Sequence, residues 1–208
     1  FQRKAMCETR LGIPILFGYD VIHGFRTLYP IPLGQACSFN TTLTYKAARM
    51  AAREAYAAGV DWTFSPMVDV SRDPRWGRVM ECYGEDPYVN ACLGAATVRG
   101  YQGNDLSSTD RMAACMKHYV AYGASTGGRD YTATEVSRQS LWDTYLQPFQ
   151  AGIEAGALTV MASFNDISGT PAHANRYTLT TVLKEYWGHK GFVVSDWAGV
   201  AQLRTQGM

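Results

Sequence analysis

The sequence contains no CxxC pair, no zinc-type cysteine–histidine spacing, no Walker loop and no glycine-rich dinucleotide fingerprint after a strand. Structural zinc and nucleotide cofactors are left without support, and neither a cofactor nor a metal is expected. The five cysteines (Cys7, Cys37, Cys82, Cys92 and Cys115) are an odd number in a chain of 208 residues, which is long for a disulfide framework. Cys115 lies inside an apolar run and reads as a small core residue. No apolar stretch approaches the roughly 18 to 20 residues of a transmembrane helix. A formal net charge of +1 offers no field to hold nucleic acid or an anionic membrane as a partner. The chain opens on Phe1-Gln2-Arg3-Lys4, with no start methionine and no signal-peptide pattern; the natural N-terminus is expected to be missing or processed.

What is present is a strand pattern. Phe192-Val193-Val194-Ser195-Asp196-Trp197 is an apolar run that ends in one carboxylate and one large ring. Pro14 to Tyr19 ends in Asp20, and Thr63 to Val68 ends in Asp69. Ala113 to Met116 ends in Lys117-His118, and Leu158 to Met161 ends in Ala162-Ser163-Phe164-Asn165. Short continuous apolar runs suit strands buried on both faces, as in parallel sheets. Polar groups at successive strand tips are how a (β/α)8 barrel assembles an active site.

Helical signals fill the intervals. Residues 42–58 carry apolar groups at Leu43, Ala47, Met50, Ala51 and Ala58 and stop at Gly59. Asn40-Thr41-Thr42 matches a glycosylation sequon and equally makes a helix cap. Asp86-Pro87 opens a helix reaching about residue 101. Ser137 caps a third, which Pro148 breaks or restarts before Gly156, and Thr178 begins a fourth that closes at Gly188. Alternating β and α elements imply a parallel sheet with right-handed crossovers. Five strands cannot close an eight-stranded barrel. Residues 1–208 are therefore expected to form one domain that is most of a TIM-type barrel, with an open doubly wound sheet as the alternative.

Asp196 is the sharpest candidate for chemistry. A carboxylate on so apolar a strand tip would cost several kcal/mol if buried without partners, so it is expected in a hydrogen-bonded pocket near cations such as Arg78 and Lys117. Asp20 sits at the same level, as a partner acid or a hydroxyl anchor, and His23 reads as structural. In Arg72-Asp73-Pro74-Arg75-Trp76-Gly77-Arg78, guanidinium forks could hold vicinal hydroxyls. Arg72 and Arg75 read rather as staples to Asp73, Glu81, Glu85 or Asp86. Adjacent strand residues point to opposite faces, so Lys117 and His118 share a ligand only if the strand bends or ends there. The 13 tyrosines and 5 tryptophans include rings that could pack on sugar faces, though most are expected in the core.

Taken together these motifs resemble glycoside hydrolase family 3, the β-glucosidase and β-xylosidase type. The resemblance runs through Gly18-Tyr19-Asp20-Val21-Ile22-His23-Gly24, Ser65-Pro66-Met67-Val68-Asp69-Val70, residues 72–78 with Tyr83-Gly84-Glu85-Asp86-Pro87, Lys117-His118, Met161-Ala162-Ser163-Phe164-Asn165 and Ser195-Asp196-Trp197. It implies an N-terminal (β/α)8 barrel lacking its first strand and those after Asp196. Asp196 would be the nucleophile, and Asp20, Arg78, Lys117 and His118 would hold the hydroxyls of the sugar in subsite −1. Met161, Phe164 and Trp197 would wall that pocket, and Asp130 would support Lys117 and His118 from behind. A family branch that cleaves N-acetylglucosaminides carries a Gly-His-Gly loop soon after Lys-His; here that stretch is Tyr119-Val120-Ala121-Tyr122-Gly123-Ala124-Ser125. In the glucosidase-like branch the acid/base is a Glu on a second domain, which is expected outside these residues.

The implied activity is retaining hydrolysis of terminal β-D-glucosyl groups from β-linked glucosides or oligosaccharides, with β-xylosidase activity as the near alternative. A periplasmic or secreted location goes with the resemblance. Two further readings come from other classes: a Schiff-base aldolase using Lys117, which leaves Asp196 and the arginine loop idle, and a non-catalytic sugar-binding fragment.

Overall fold

The computed structural model describes residues 1–205. Its main sheet runs through β1 (Gly18–Tyr19), β2 (Trp62–Thr63), β3 (Cys115–Tyr119), β4 (Thr159–Ala162) and, after a small antiparallel hairpin of β5 (Asp166–Ile167) and β6 (Thr170–Pro171), β7 (Phe192–Ser195). β1 pairs parallel with β2, β3 with β4, and β4 with β7. Parallel bridges Trp62–Ala113 and Met67–Lys117 join the second strand segment to the third. The spatial order of these five therefore follows the chain order, every strand parallel to the next. A doubly wound sheet reverses its strand order at a switch point; this arrangement has none and is an arc of a (β/α)8-type barrel.

Two expected strands are shorter than their apolar runs. Before β1, Ile13, Ile15, Leu16 and Phe17 are exposed (63%, 40%, 49% and 37%). β1 has a strand partner on one side only among the described residues, so this run has no sheet on its other flank. Its backbone is held instead by Gln2, whose amide donates to Ile15 O (2.7 Å) and accepts from Ile15 N (2.8 Å). In the second run, Pro66 supplies no N–H and ladder pairing lapses until Met67.

The first long helix, Thr41–Ala57, is capped by Asn40, whose carbonyl accepts from Thr42 N and Leu43 N (3.0 and 3.1 Å). Its buried face is Thr44, Ala48, Ala51, Ala52 and Ala55, while Leu43 and Met50 are exposed. The expected apolar stripe is thus rotated onto the small residues. The neighbouring helix explains this: on Pro87–Gln102, a Cβ added at Gly100 would stand 2.6 Å from Ala48 Cβ, so only small side chains admit so close an approach. Asp86 caps that second helix through Val89 N (2.8 Å), and Ser137 caps the third through Ser140 N (3.0 Å). The third continues as a π-helical turn, Leu141–Tyr145, and Pro148 restarts it as Gln147–Glu154. Leu141, Leu146 and Phe149 join Val160, Val182 and Leu183 in the core between sheet and helices. No helix among the described residues is long and apolar enough to cross a membrane.

Candidate active site

The C-terminal ends of β1, β3, β4 and β7 open on one cleft of about 510 Å³, lined by Asp20, Arg78, Lys117, His118, Met161 and Asp196, with Trp197 at its mouth. A hollow of similar size lies on the outer helical surface near Tyr45, Tyr88 and Arg99, away from every strand end.

Asp20 follows β1 and is half exposed at the cleft lip. Lys117, its side chain only 5% exposed, donates from Nζ to the Asp20 Oδ1 at 2.7 Å. Lys117 and His118 lie inside β3 rather than beyond its end. The register with β4 shifts between Met116 and Tyr119, which breaks strict alternation, and both side chains line the cleft.

His118 is fixed from both sides. Asp69, the carboxylate at the end of the second strand run, accepts from the His118 backbone N–H and pairs with the ring Nδ1, each at 2.9 Å. Arg78 Nη1 lies 3.2 Å from Nε2. A guanidinium can only donate, so Nε2 is the bare acceptor and Nδ1 carries the proton toward Asp69. Burial, reinforced by the charges of Arg78 and Lys117, pushes the His118 pKa well below its usual value, and the ring is neutral. Burial raises Asp69 to about 7 against the opposing pull of its N–H donors and cations.

Arg78 forks onto Glu81, with Nε and Nη2 each donating at 2.7 Å. Its own burial works against the charge, but the Glu81 pair and Asp69 hold its pKa above the usual guanidinium range. Arg75 points outward, 71% exposed, and pairs with Asp73. Of the two arginines, Arg78 is the one that reaches the cleft.

Asp196 closes the far side. Its Oδ1 accepts from Trp197 N (2.6 Å), whereas its buried Oδ2 has no hydrogen-bond partner among the described residues and lies 3.6 Å from His118 Nε2. Met161 is buried on β4 and forms part of the wall. Trp197 is 85% exposed, so it flanks the opening and does not seal it.

Two expected placements differ. Phe164 does not line the cleft; its ring packs edge-on against Tyr122 and Tyr131, at centroid distances of 6.0 and 4.8 Å. Asp130 does not reach Lys117 or His118. It accepts from Trp76 Nε1 at 3.2 Å, on the other side of Tyr122, whose ring packs edge-on against His118. Asp69, which pairs with the His118 ring, occupies the supporting position instead. Asp69 carried a signal, because it ends a strand run just as Asp20 and Asp196 do. Glu81 carried a weaker one, three residues after Arg78. His23 is structural, its Nδ1 lying 2.8 Å from Tyr29 O.

Three carboxylates (Asp20, Glu81 and Asp196), two fixed cations and a neutral imidazole around one cleft can grip several hydroxyls at once and present, at Asp196 Oδ2, a buried carboxylate oxygen without a donor. The family model described as "Glycosyl hydrolase family 3 N terminal domain" matches residues 1–208. The chain is 42% identical to a periplasmic beta-glucosidase of Salmonella typhimurium, over 99% of this chain and 27% of the relative. It is 38% identical to a putative beta-xylosidase of Formosa agariphila, over 97% of this chain and 28% of that protein. Among solved structures, a beta-glucosidase from Listeria innocua in complex with isofagomine superposes with a TM-score of 0.96 at 44% identity, over 100% of this chain and 29% of that one. The chain thus spans less than a third of the length of each of these relatives.

Proposed function

The chain belongs to glycosyl hydrolase family 3, and we propose that it carries the nucleophile and sugar-binding wall of a retaining β-glycosidase acting on terminal β-D-glucosyl groups. The observation that carries this reading is Asp196 Oδ2, buried and without a protein donor in a cleft whose other polar groups are already oriented. In the first step Oδ2 attacks the anomeric carbon, and the bond to the leaving oxygen breaks as an acid protonates that oxygen. In the second, water attacks the same carbon, gives up its proton to the conjugate base and releases Asp196, with net retention.

The remaining residues bind. Asp20 accepts from sugar hydroxyls, while Lys117 and Arg78 donate to them, and neutral His118, held by Asp69 and Arg78, lines the cleft beside them. Such contacts accelerate the reaction where they tighten as positive charge develops on the sugar. Each of the other two cleft carboxylates is engaged, Asp20 by Lys117 and Glu81 by Arg78. The acid/base is assigned, as the family resemblance implies, to a Glu on a second domain outside residues 1–208. The Asp20 pair also disfavours a Schiff-base role for Lys117, which needs a free amine lone pair.

The beta-glucosidase relatives, one of them named periplasmic, support glucosides as substrates and a periplasmic or secreted location. The beta-xylosidase relative makes xylosides the second class to test. The test is a panel of aryl β-glucosides and β-xylosides on the longer protein that carries this chain, with the first-formed anomer read by proton NMR. Release of the β-anomer of glucose supports the reading; the α-anomer overturns it.

A further inference from the structure

His173 lies on a short 3-10 turn, Ala172–Ala174, between the β5–β6 hairpin and the helical segment leading to β7. It is outside the cleft lining, yet its Nε2 lies 3.1 Å from Ser195 Oγ and 3.3 Å from Asp196 N. A backbone N–H can only donate, so Nε2 must be an unprotonated acceptor. Burial, with the Ser163 backbone acting in the opposite sense, lowers the His173 pKa and keeps the ring neutral. Ser195 Oγ in turn donates to Asp196 O (2.6 Å) and accepts from Val200 N (3.3 Å).

A second observation is steric. The residue that opens the helix Gly199–Thr205 packs directly on the imidazole: a Cβ added at Gly199 would stand 2.3 Å from His173 Nε2 and 2.4 Å from Cε1. The ring is thus wedged between the backbone after β4 and the turn after β7, and it holds the peptide N–H of the candidate nucleophile itself.

We propose that His173 is a positioning residue that sets the orientation of Asp196 through the Asp196 N–H, without touching the sugar. This inference rests on the reading of Asp196 as nucleophile. If the acceptor is removed, the turn at residues 195–199 is free to rotate Oδ2 away from the anomeric carbon. Misplacement of a reacting group by about 1 Å can cost on the order of 100-fold in rate.

The experiment uses the longer protein that carries this chain, with an activated aryl β-glucoside as substrate. His173→Leu is expected to lower kcat by about 10- to 100-fold with KM nearly unchanged, because the sugar contacts remain. His173→Gln, whose side-chain oxygen can stand where Nε2 stands, should restore most of the lost kcat. Gly199→Ala leaves the imidazole chemistry intact but displaces the ring, and should reproduce the kcat loss; it carries the test if His173→Leu does not fold. Unchanged kcat in these variants, a rise in KM alone, or no recovery in His173→Gln overturns the proposal. An Asp196→Ala control separates the two claims: if it is inactive while His173→Leu is fully active, only the positioning role falls. If Asp196→Ala itself turns over, both fall.

Discussion

Asp69 Oδ2 lies 2.9 Å from both the backbone nitrogen and the ring Nδ1 of His118, so a single carboxylate oxygen fixes the position and the tautomer of that residue. Asp69 is 2% exposed and His118 1%. With Arg78 on the other ring nitrogen, the imidazole has no freedom to turn, and it presents the same face to any ligand.

The raised pKa of Asp69 makes a signed prediction about pH. Its folded-state value of about 7 lies above its ordinary value of 3.8, so its contribution to stability is fully present below about pH 4 and is lost as pH rises through about 7. Asp69→Asn keeps an acceptor for His118 and cannot ionise. The melting temperature of the variant minus that of the wild type is therefore expected to grow from pH 4.5 to pH 7.5. His118 is present in both proteins and cancels to first order. A difference independent of pH would contradict the assignment.

Asp20→Ala leaves the ammonium of Lys117, whose side chain is 5% exposed, without its carboxylate. A buried charge deprived of its partner and a lost hydroxyl contact together should cost about 2 to 4 kcal/mol in kcat/KM. Unchanged kinetics would remove Asp20 from the site.

The two candidate arginines should separate cleanly. Arg78→Lys keeps the charge but loses the fork onto Glu81 and the contact with His118, and kcat/KM is expected to fall by about 2 kcal/mol. Arg75 forms an exposed pair with Asp73, and Arg75→Ala should leave kcat/KM and stability nearly unchanged. Steady-state kinetics of the two variants, measured side by side, decides which arginine belongs to the sugar.

Residues 1–208 produced alone should associate and melt without a sharp transition. β1 and β7 each have a strand partner on one side only among the described residues, and Phe17, Phe192 and Trp197 are exposed beside them (37%, 47% and 85%). Unpaired edges and apolar patches of this kind drive self-association. Sedimentation and calorimetry check this, and a cooperative monomer would refute it.

The strand tips were legible because burial on both faces leaves an apolar run in the sequence, and the polar residue that ends it stands out. That pattern located Asp20, Asp69, Lys117, His118 and Asp196. It overextended β1, because a run of apolar residues does not reveal whether a neighbouring strand is there to cover it. The helix Thr41–Ala57 was found through its apolar spacing and closing glycine, but its buried face was misjudged by ranking Leu43 and Met50 above alanine. Contact with Gly100 selects small residues, and that contact lies about 50 positions away in the chain. Asp130 was misplaced for a similar reason: its partner Trp76 lies on the loop after the second strand run, more than 50 positions earlier. His173 left no signal at all, since its partners belong to a turn more than 20 residues later.

The most direct test of the account is to trap the covalent intermediate. A 2-deoxy-2-fluoro-β-glucoside with an activated leaving group, incubated with the longer protein that carries this chain, should inactivate it and add one fluoroglucosyl group. Peptide mass spectrometry should place that group on Asp196. A label on Asp20 or Glu81, or inactivation without a covalent adduct, would contradict the assignment of Asp196 as nucleophile.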